Sequence, residues 1–298
     1  MSNPAQPLMD YPKTHDWLVC IDSDGCAFDS MEIKHKECFI PNTINSWDLQ
    51  YVSKYVREAA EFVNLYSKWR GINRFPALIQ VFDLLADREE TLRRGYLPPE
   101  TASLRAWMQR ESKLGEPALE SEVARTQDPV LVRTLQWSKA VNAAVGDIVR
   151  GVPPFPFVRE SLIRLQESAD IVVCSATPGE ALVREWTEHG LSGYVKVIAG
   201  QEMGSKKEII RMSMNGRYDA SHILMIGDAP GDQAAAKANG VAFFPVNPGD
   251  EENSWQLFFE EAMDRFLQGS FTGVYEKQLH DRFDTFLPEH PPWKTIKN

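Results

Sequence analysis

From about residue 155 the apolar positions alternate between two spacings. In FVRESLIRLQES (157–168), Val158, Leu162, Ile163 and Leu165 recur at helical intervals, and ADIVVCSA (169–176) follows as an unbroken apolar run of strand length. The alternation continues. GEALVREWTEHG (179–190) predicts a helix stopped at Gly190, YVKVIAG (194–200) a strand, and SKKEIIRMSM (205–214) a helix opened by Ser205. HILMIGD (222–228) reads as a buried strand, APGDQAAAKANG (229–240) as a short helix ending at Gly240, and VAFFPV (241–246) as a last strand. Strands alternating with helices predict a parallel sheet covered on both faces, a doubly wound, Rossmann-like α/β core. One more strand, at 17–22, stands more than a hundred residues upstream of its partners.

Between these parts the spacing is helical throughout. LQYVSKYVREAAEFVNLYSKW (49–69), FPALIQVFDLLADREETL (75–92), ETASLRAWMQRESK (100–113) and DPVLVRTLQWSKAVNAAVGDIV (128–149) carry helical patterns, with little that reads as strand. The expected division is a core of residues 1–38 and 152–298 and an inserted all-helical cap of residues 39–151. GVPPFPF (151–157) forms a stiff re-entry between them. The last fifty residues predict two further helices and a proline-terminated tail, for which the sequence offers no function.

The strand ends carry the chemistry. LVCIDSDGCAFD (18–29) is an apolar run that stops at Asp22 and Asp24, and two carboxylates so close repel and lose hydration when enclosed. Taken alone, each acid has an ordinary structural reading as a turn or cap residue. In open parallel sheets, however, ligands gather beyond the carboxyl ends of the strands, and those ends here hold Asp22, Asp24, Ser175, Asp228 and Asp232, with Lys206 and Lys207 opening a nearby helix. That inventory suits phosphoryl transfer. Asp22 would attack phosphorus and Asp24 act as general acid, then base. Asp22 and Asp228 would hold Mg2+, with Asp232 binding it directly or through water, and Ser175 and one lysine would hold the phosphate oxygens.

Composition narrows the partners. A formal charge of −10 argues against nucleic acid or an anionic membrane and leaves room for a small anionic substrate; with the phosphoryl-transfer residues above, the expected substrate is a small phosphorylated metabolite. The N-terminus lacks the basic-then-apolar layout of a signal peptide and no apolar run is long enough to span a bilayer, so the expected location is cytoplasmic. The four cysteines form no Cys-x-x-Cys pair or zinc-spaced cluster, and Cys20 and Cys174 fall in strands as reduced core thiols. Arg70 and Arg74 in KWRGINRFPAL (68–78), and Lys34, His35 and Lys36, read as solvated helix ends rather than substrate contacts. Oligomeric state, a homo-oligomer included, stays open.

With these residues in order, the chain resembles the haloacid dehalogenase superfamily of phosphohydrolases. DSDG stands as its first motif, the serine after IVVC as the second, a lysine of GSKK as the third and GDAPGD as the fourth. The resemblance implies a Rossmann-like core with a cap inserted between the first two motifs. It makes Asp22 the nucleophile and Asp24 the acid/base, with the Asp24 carbonyl on the metal, Ser175 and a lysine on phosphate, and Asp228 a metal ligand. The family's dehalogenases lack the second aspartate, so Asp24 points to phosphate esters. There are departures: Cys26 replaces the usual threonine or valine and is expected to pack under the turn, and the proline usual after the third-motif lysine is absent. Lys206 is preferred over Lys207 because Ile209 and Ile210 follow it at three and four residues. The activity implied is a magnesium-dependent phosphatase. A phosphomutase or phosphonate hydrolase on the same core, or a binding protein that keeps the fold without turnover, are the alternatives.

Overall fold

The computed structural model of the protein describes residues 3–294. Five strands form its sheet: β1 Trp17–Ile21, β2 Ala169–Cys174, β3 Val197–Ala199, β4 Ile223–Gly227 and β5 Ala242–Pro245. They lie in the order β3-β2-β1-β4-β5, and every adjacent pair is parallel. The early strand therefore becomes the centre. β1 pairs on one side with β2, Ile21 opposite Val173, and on the other with β4, Ile21 opposite Ile226.

Strand side chains alternate between faces, and here both faces are buried. Val19, Ile21, Ile171, Val173, Leu224, Ile226 and Phe244 pack on one side against helices Val158–Leu165 and Gly179–Glu188 and the helical run Glu251–Leu267. Leu18, Cys20, Val172, Cys174, Ile223, Met225 and Phe243 pack on the other against helices Lys206–Met214, Pro230–Asn239 and Val274–Phe286. Two-sided burial is why these strands read as continuous apolar runs instead of alternating ones.

The chain divides into two compact units. The first runs to Met31 and resumes from Gly151 to Leu287; the second comprises Glu32–Arg150 and, of the described residues, the tail 288–294. The second unit has its own core, with Val56, Phe62, Phe75, Leu85, Trp107 and Trp137 buried between helices that include Ser53–Asn64, Arg74–Ala86, Ala102–Arg110 and Pro129–Ile148. Among the described residues it contains no strand.

Its limits differ from the sequence expectation at two places. Residues 32–38 belong to it because Ser30–Ser46 is continuous helical backbone, with no break at 38 where one was expected. The described tail residues 288–294 belong to it as well, instead of extending the α/β core. Arg70 is also not a solvated helix end. It is 3% exposed, and its guanidinium donates at 2.9 Å to the Leu65 carbonyl, one of the acceptors that the end of helix Ser53–Asn64 leaves open. Among the described residues no helix is long and apolar enough to cross a membrane.

Candidate active site

In this strand order the chain runs from β1 to β2 on one side and from β4 to β5 on the other, and the crevice opens beyond the carboxyl ends of β1 and β4, where the order reverses. Asp22 is the first residue past β1. Its N–H still donates to the Ile226 carbonyl at 3.0 Å, which carries the ladder one step further and fixes the side chain beside the end of β4. The chain then turns within three residues. The Ser23 carbonyl accepts from the N–H groups of Cys26, Ala27 and Phe28, and Gly25, at φ 74°, donates to Phe28. That left-handed angle is one that glycine adopts without penalty.

At the end of β4, Gly227 is followed by Asp228, and helix Pro230–Asn239 begins at once. A β-carbon at Gly227 would lie 2.4 Å from Cβ of Asp232, so only glycine lets this helix start so close to the strand. Asp232, with no exposed surface, accepts through Oδ2 from the N–H groups of Asp228 and Ala229 at 3.2 and 3.1 Å. Those two bonds hold the loop that presents Asp228.

Carboxylate oxygens of Asp22, Asp228 and Asp232 come within 4.8 Å of one another, all three residues buried. Lys206 enters this group. Its Nζ lies 2.5 Å from Asp22 Oδ2 and 2.5 Å from Asp232 Oδ1, while Lys207 is exposed. The choice between the lysines is made by a helix cap. Ser205 caps helix Lys206–Met214 in a reciprocal capping box with Glu208, and Lys206 as the first helical residue is thereby aimed inward.

The electrostatics follow from burial. Burial pushes the Asp22 carboxyl well above the ordinary carboxylate range; the Lys206 ammonium opposes this, and the Asp232 and Asp228 charges reinforce it. Burial alone would lower the lysine. The carboxylates of Asp22, Asp232 and Asp228 outweigh it and hold Lys206 well above its ordinary value, so it stays an ammonium. Cys26 is fully buried, with Sγ 3.7 Å from the Ile226 carbonyl. Burial and then the charges of Asp228, Asp22 and Asp232 push its thiol far up, which makes it a packing residue without a thiolate.

Ser175 follows β2 and is 2% exposed; its N–H donates to the Ala199 carbonyl at 3.0 Å, and its Oγ accepts from the Thr177 N–H at 3.3 Å. Asp24 is held by two hydroxyls. Thr177 Oγ1 donates to Oδ2 at 2.5 Å and Ser30 Oγ to Oδ1. Neither hydroxyl stands out in the sequence, since a serine or threonine near a strand end is commonplace, although Thr177 lies only two residues after Ser175. Behind the turn, Ser23 Oγ accepts from Trp186 Nε1 at 2.9 Å and donates to Glu185 at 3.2 Å.

Residues 107–246 match a family model described as haloacid dehalogenase-like hydrolase, a span that contains the second, third and fourth motifs. No curated protein matches the chain. Among solved structures, the chain is similar to a haloacid dehalogenase-like family hydrolase from Streptococcus pneumoniae, at 13% identity over 83% of this chain and 92% of that one, with a TM-score of 0.45. It is similar to a predicted phosphatase from Clostridium acetobutylicum at 15% identity over 81% and 91%, with a TM-score of 0.44. A third is CbbY from Rhodobacter sphaeroides, solved in complex with phosphate, at 14% identity over 78% and 86%, with a TM-score of 0.41. Overlaps this loose say nothing about chemistry. Residues 107–246 are thus similar to a haloacid dehalogenase-like hydrolase, and the segments that carry the resemblance in sequence stand in order around one parallel sheet.

Proposed function

We propose that the protein is a magnesium-dependent phosphatase that acts on a small phosphorylated metabolite through a phosphorylated Asp22. One observation carries this reading: the Asp22 carboxylate lies in a buried trio with Asp228 and Asp232, against the single ammonium of Lys206. Three acidic groups crowd one ammonium in a buried place, an excess of acid over base. A divalent cation suits that excess, and oxygen donors of this kind suit a hard cation such as Mg2+. Asp22 and Asp228 would hold it with the Asp24 carbonyl, and when bound it would neutralise charge on the phosphoryl oxygens. Asp232, already engaged by Lys206 and two backbone N–H groups, acts from behind by holding the lysine and the loop.

In this reading an oxygen of Asp22 bonds to phosphorus as the ester O–P bond breaks, and Asp24 gives its proton to the departing alkoxide. Water then attacks phosphorus, yields a proton to Asp24, and the bond to Asp22 breaks to release phosphate. Lys206 and the Ser175 hydroxyl counter the charge on the phosphoryl oxygens. The test is hydrolysis of an aryl phosphate with and without magnesium. The wild-type protein should need the metal, and Asp22→Asn should lose about 10⁴-fold or more in kcat, the scale seen when a nucleophile is removed. Equal activity in the two proteins would overturn the assignment of Asp22. A screen of phosphorylated metabolites would then identify the substrate.

A further inference from the structure

The strand order leaves β5 at one end of the sheet, and an end strand presents a row of N–H and C=O groups with which another chain can pair. The Val246 N–H donates to the Gly227 carbonyl of β4 at 2.8 Å, so by alternation the backbone groups of Ala242 and Phe244 also face β4, while those of Phe243 and Pro245 turn outward. The outward N–H groups can be accounted for one by one. The Val241 N–H donates to the Ala236 carbonyl at 3.1 Å, and Pro245 has no N–H to offer. Phe243 is left, in the middle of the strand and 1% exposed.

Two side chains of helix Val274–Phe286 close it. The Phe243 N–H donates to Glu276 Oε1 at 2.9 Å, and the Phe243 carbonyl lies 3.1 Å from His280 Nε2. A carbonyl only accepts, so this nitrogen carries the hydrogen. Glu276 and His280 stand one helical turn apart, with Oε1 and Nε2 separated by 3.8 Å, and one helix face thereby offers an acceptor and a donor where a neighbouring strand would. The helix reaches the apolar cores on both sides of the sheet, as an element lying along an edge does: Leu279 packs into one and Phe283 into the other, its ring 5.9 Å from that of Phe243.

We propose that Glu276 and His280 take the place of a sixth strand and keep a second copy of this chain from pairing its β5 with this one. Two copies of β5 set antiparallel about a two-fold axis at Phe243 would exchange both N–H to C=O bonds between the two Phe243 residues, and those are the groups that Glu276 and His280 occupy. The flanking positions add no bond to such a pairing, because the Val241 N–H is engaged and Pro245 lacks a donor. Phe243 is therefore the point to guard, and removing its guards should produce a weak, concentration-dependent association. The C-terminal helix, which carries no motif of the core, acquires a task in this way.

The experiment removes the pair from the full chain. Glu276→Ala/His280→Ala is compared with wild type, with Lys277→Ala/Asp281→Ala, which takes away an exposed ion pair on the same helix, and with Glu276→Gln/His280→Gln, whose amides still accept and donate. Hydrogen exchange is read by mass spectrometry at the Phe243 amide, and mass by sedimentation equilibrium over a concentration series. In dilute solution the alanine pair should exchange that amide about tenfold faster than wild type, the scale of one lost hydrogen bond. As concentration rises, its mass should climb toward twice that of wild type while the amide regains protection. The glutamine pair and the Lys277/Asp281 control should match wild type in both measurements. Unchanged exchange, or a mass equal to that of wild type at every concentration, would overturn the proposal. If circular dichroism shows that the alanine pair does not fold, Glu276→Ala alone is read in the same way. Neither readout needs turnover, so the result stands whether or not the protein hydrolyses phosphate esters.

Discussion

At the scale of single residues, the site is arranged against the stability of the protein that holds it. Asp22, Asp228 and Asp232 are buried within reach of one another with one lysine among them, and like charges so placed cost free energy unless a cation joins them. Asp228→Asn removes one negative charge and little volume. In the presence of a chelator it should melt higher than wild type by about 2–4 °C, the shift that ~1 kcal/mol produces in a protein of roughly this size. Added magnesium should raise the melting temperature of wild type and leave the variant where it was; a variant that melts lower in chelator would refute the account of the cluster as strained. A second buried acid behaves in the opposite way. Asp170, near the start of β2 and at the other end of the sheet from Asp22, has no exposed side chain surface. Burial alone would raise it, but the Thr14 and Tyr218 hydroxyls and the N–H groups of Thr14 and His15 donate to it, and they hold its pKa down at about 2. Because its folded pKa lies below the ordinary 3.8, its contribution is complete above that value and disappears as the pH falls through about 2. The contribution is on the order of 2 kcal/mol, from a shift of about two units. Urea midpoints for wild type and Asp170→Asn should therefore differ at pH 7 and converge between pH 4 and pH 2, whereas a gap that persists in acid would contradict this. Sequence alone marks Asp22 and Asp24 because they interrupt an apolar run. It does not mark Asp170, whose partners lie 156 and 48 residues away for Thr14 and Tyr218.

At the scale of elements, the junction of β4 with helix Pro230–Asn239 shows how a backbone requirement becomes a functional one. At Gly227 an added β-carbon would meet Asp232 Cβ, Cγ and Oδ2 at 2.4 to 2.6 Å, whereas at Gly231, four residues on, nothing lies within 4 Å. Gly227→Ala has to push Asp232 away from Lys206 and from the N–H groups of Asp228 and Ala229. We expect a loss of about 1–3 kcal/mol, the usual cost of overpacking, together with loss of the hydrolysis proposed above. Gly231→Ala should be neutral or stabilise by up to about 1 kcal/mol, since a helical glycine gives up more backbone freedom than alanine does. Equal melting temperatures for the two variants would remove the steric argument. The same elements show which signals a sequence carries. All five strands are legible because burial on both faces leaves nearly unbroken apolar runs, and helix Lys206–Met214 is legible from its cap. Helix Glu116–Thr126 is not: only Leu119 is buried, so it has hardly any apolar stripe to read. Nor is the first crossing between the units, at Met31/Glu32, because residues 30–46 run on as helix through it, Pro41 included.

At the scale of the whole molecule, charge and chemistry pull against each other. The chain carries a formal charge of −10, while the substrate class we propose is anionic, so the average field repels what the site must admit. Two outcomes are open on physical grounds, and they differ in sign. If a local field around Lys206 dominates the approach, added salt screens an attraction and kcat/KM falls. The geometry favours the other outcome: Lys206 is 18% exposed and already shared between Asp22 and Asp232, which leaves little positive potential to project outward. Screening should then relieve a net repulsion. Between about 0.01 and 0.15 M salt the Debye length shrinks from roughly 30 to 8 Å, so most of the distant surface charge drops out while contacts inside the site persist. At fixed magnesium, kcat/KM for an aryl phosphate is expected to rise severalfold across that range, carried mainly by KM, with kcat nearly constant. A fall over the same range would show that the site projects a positive field of its own.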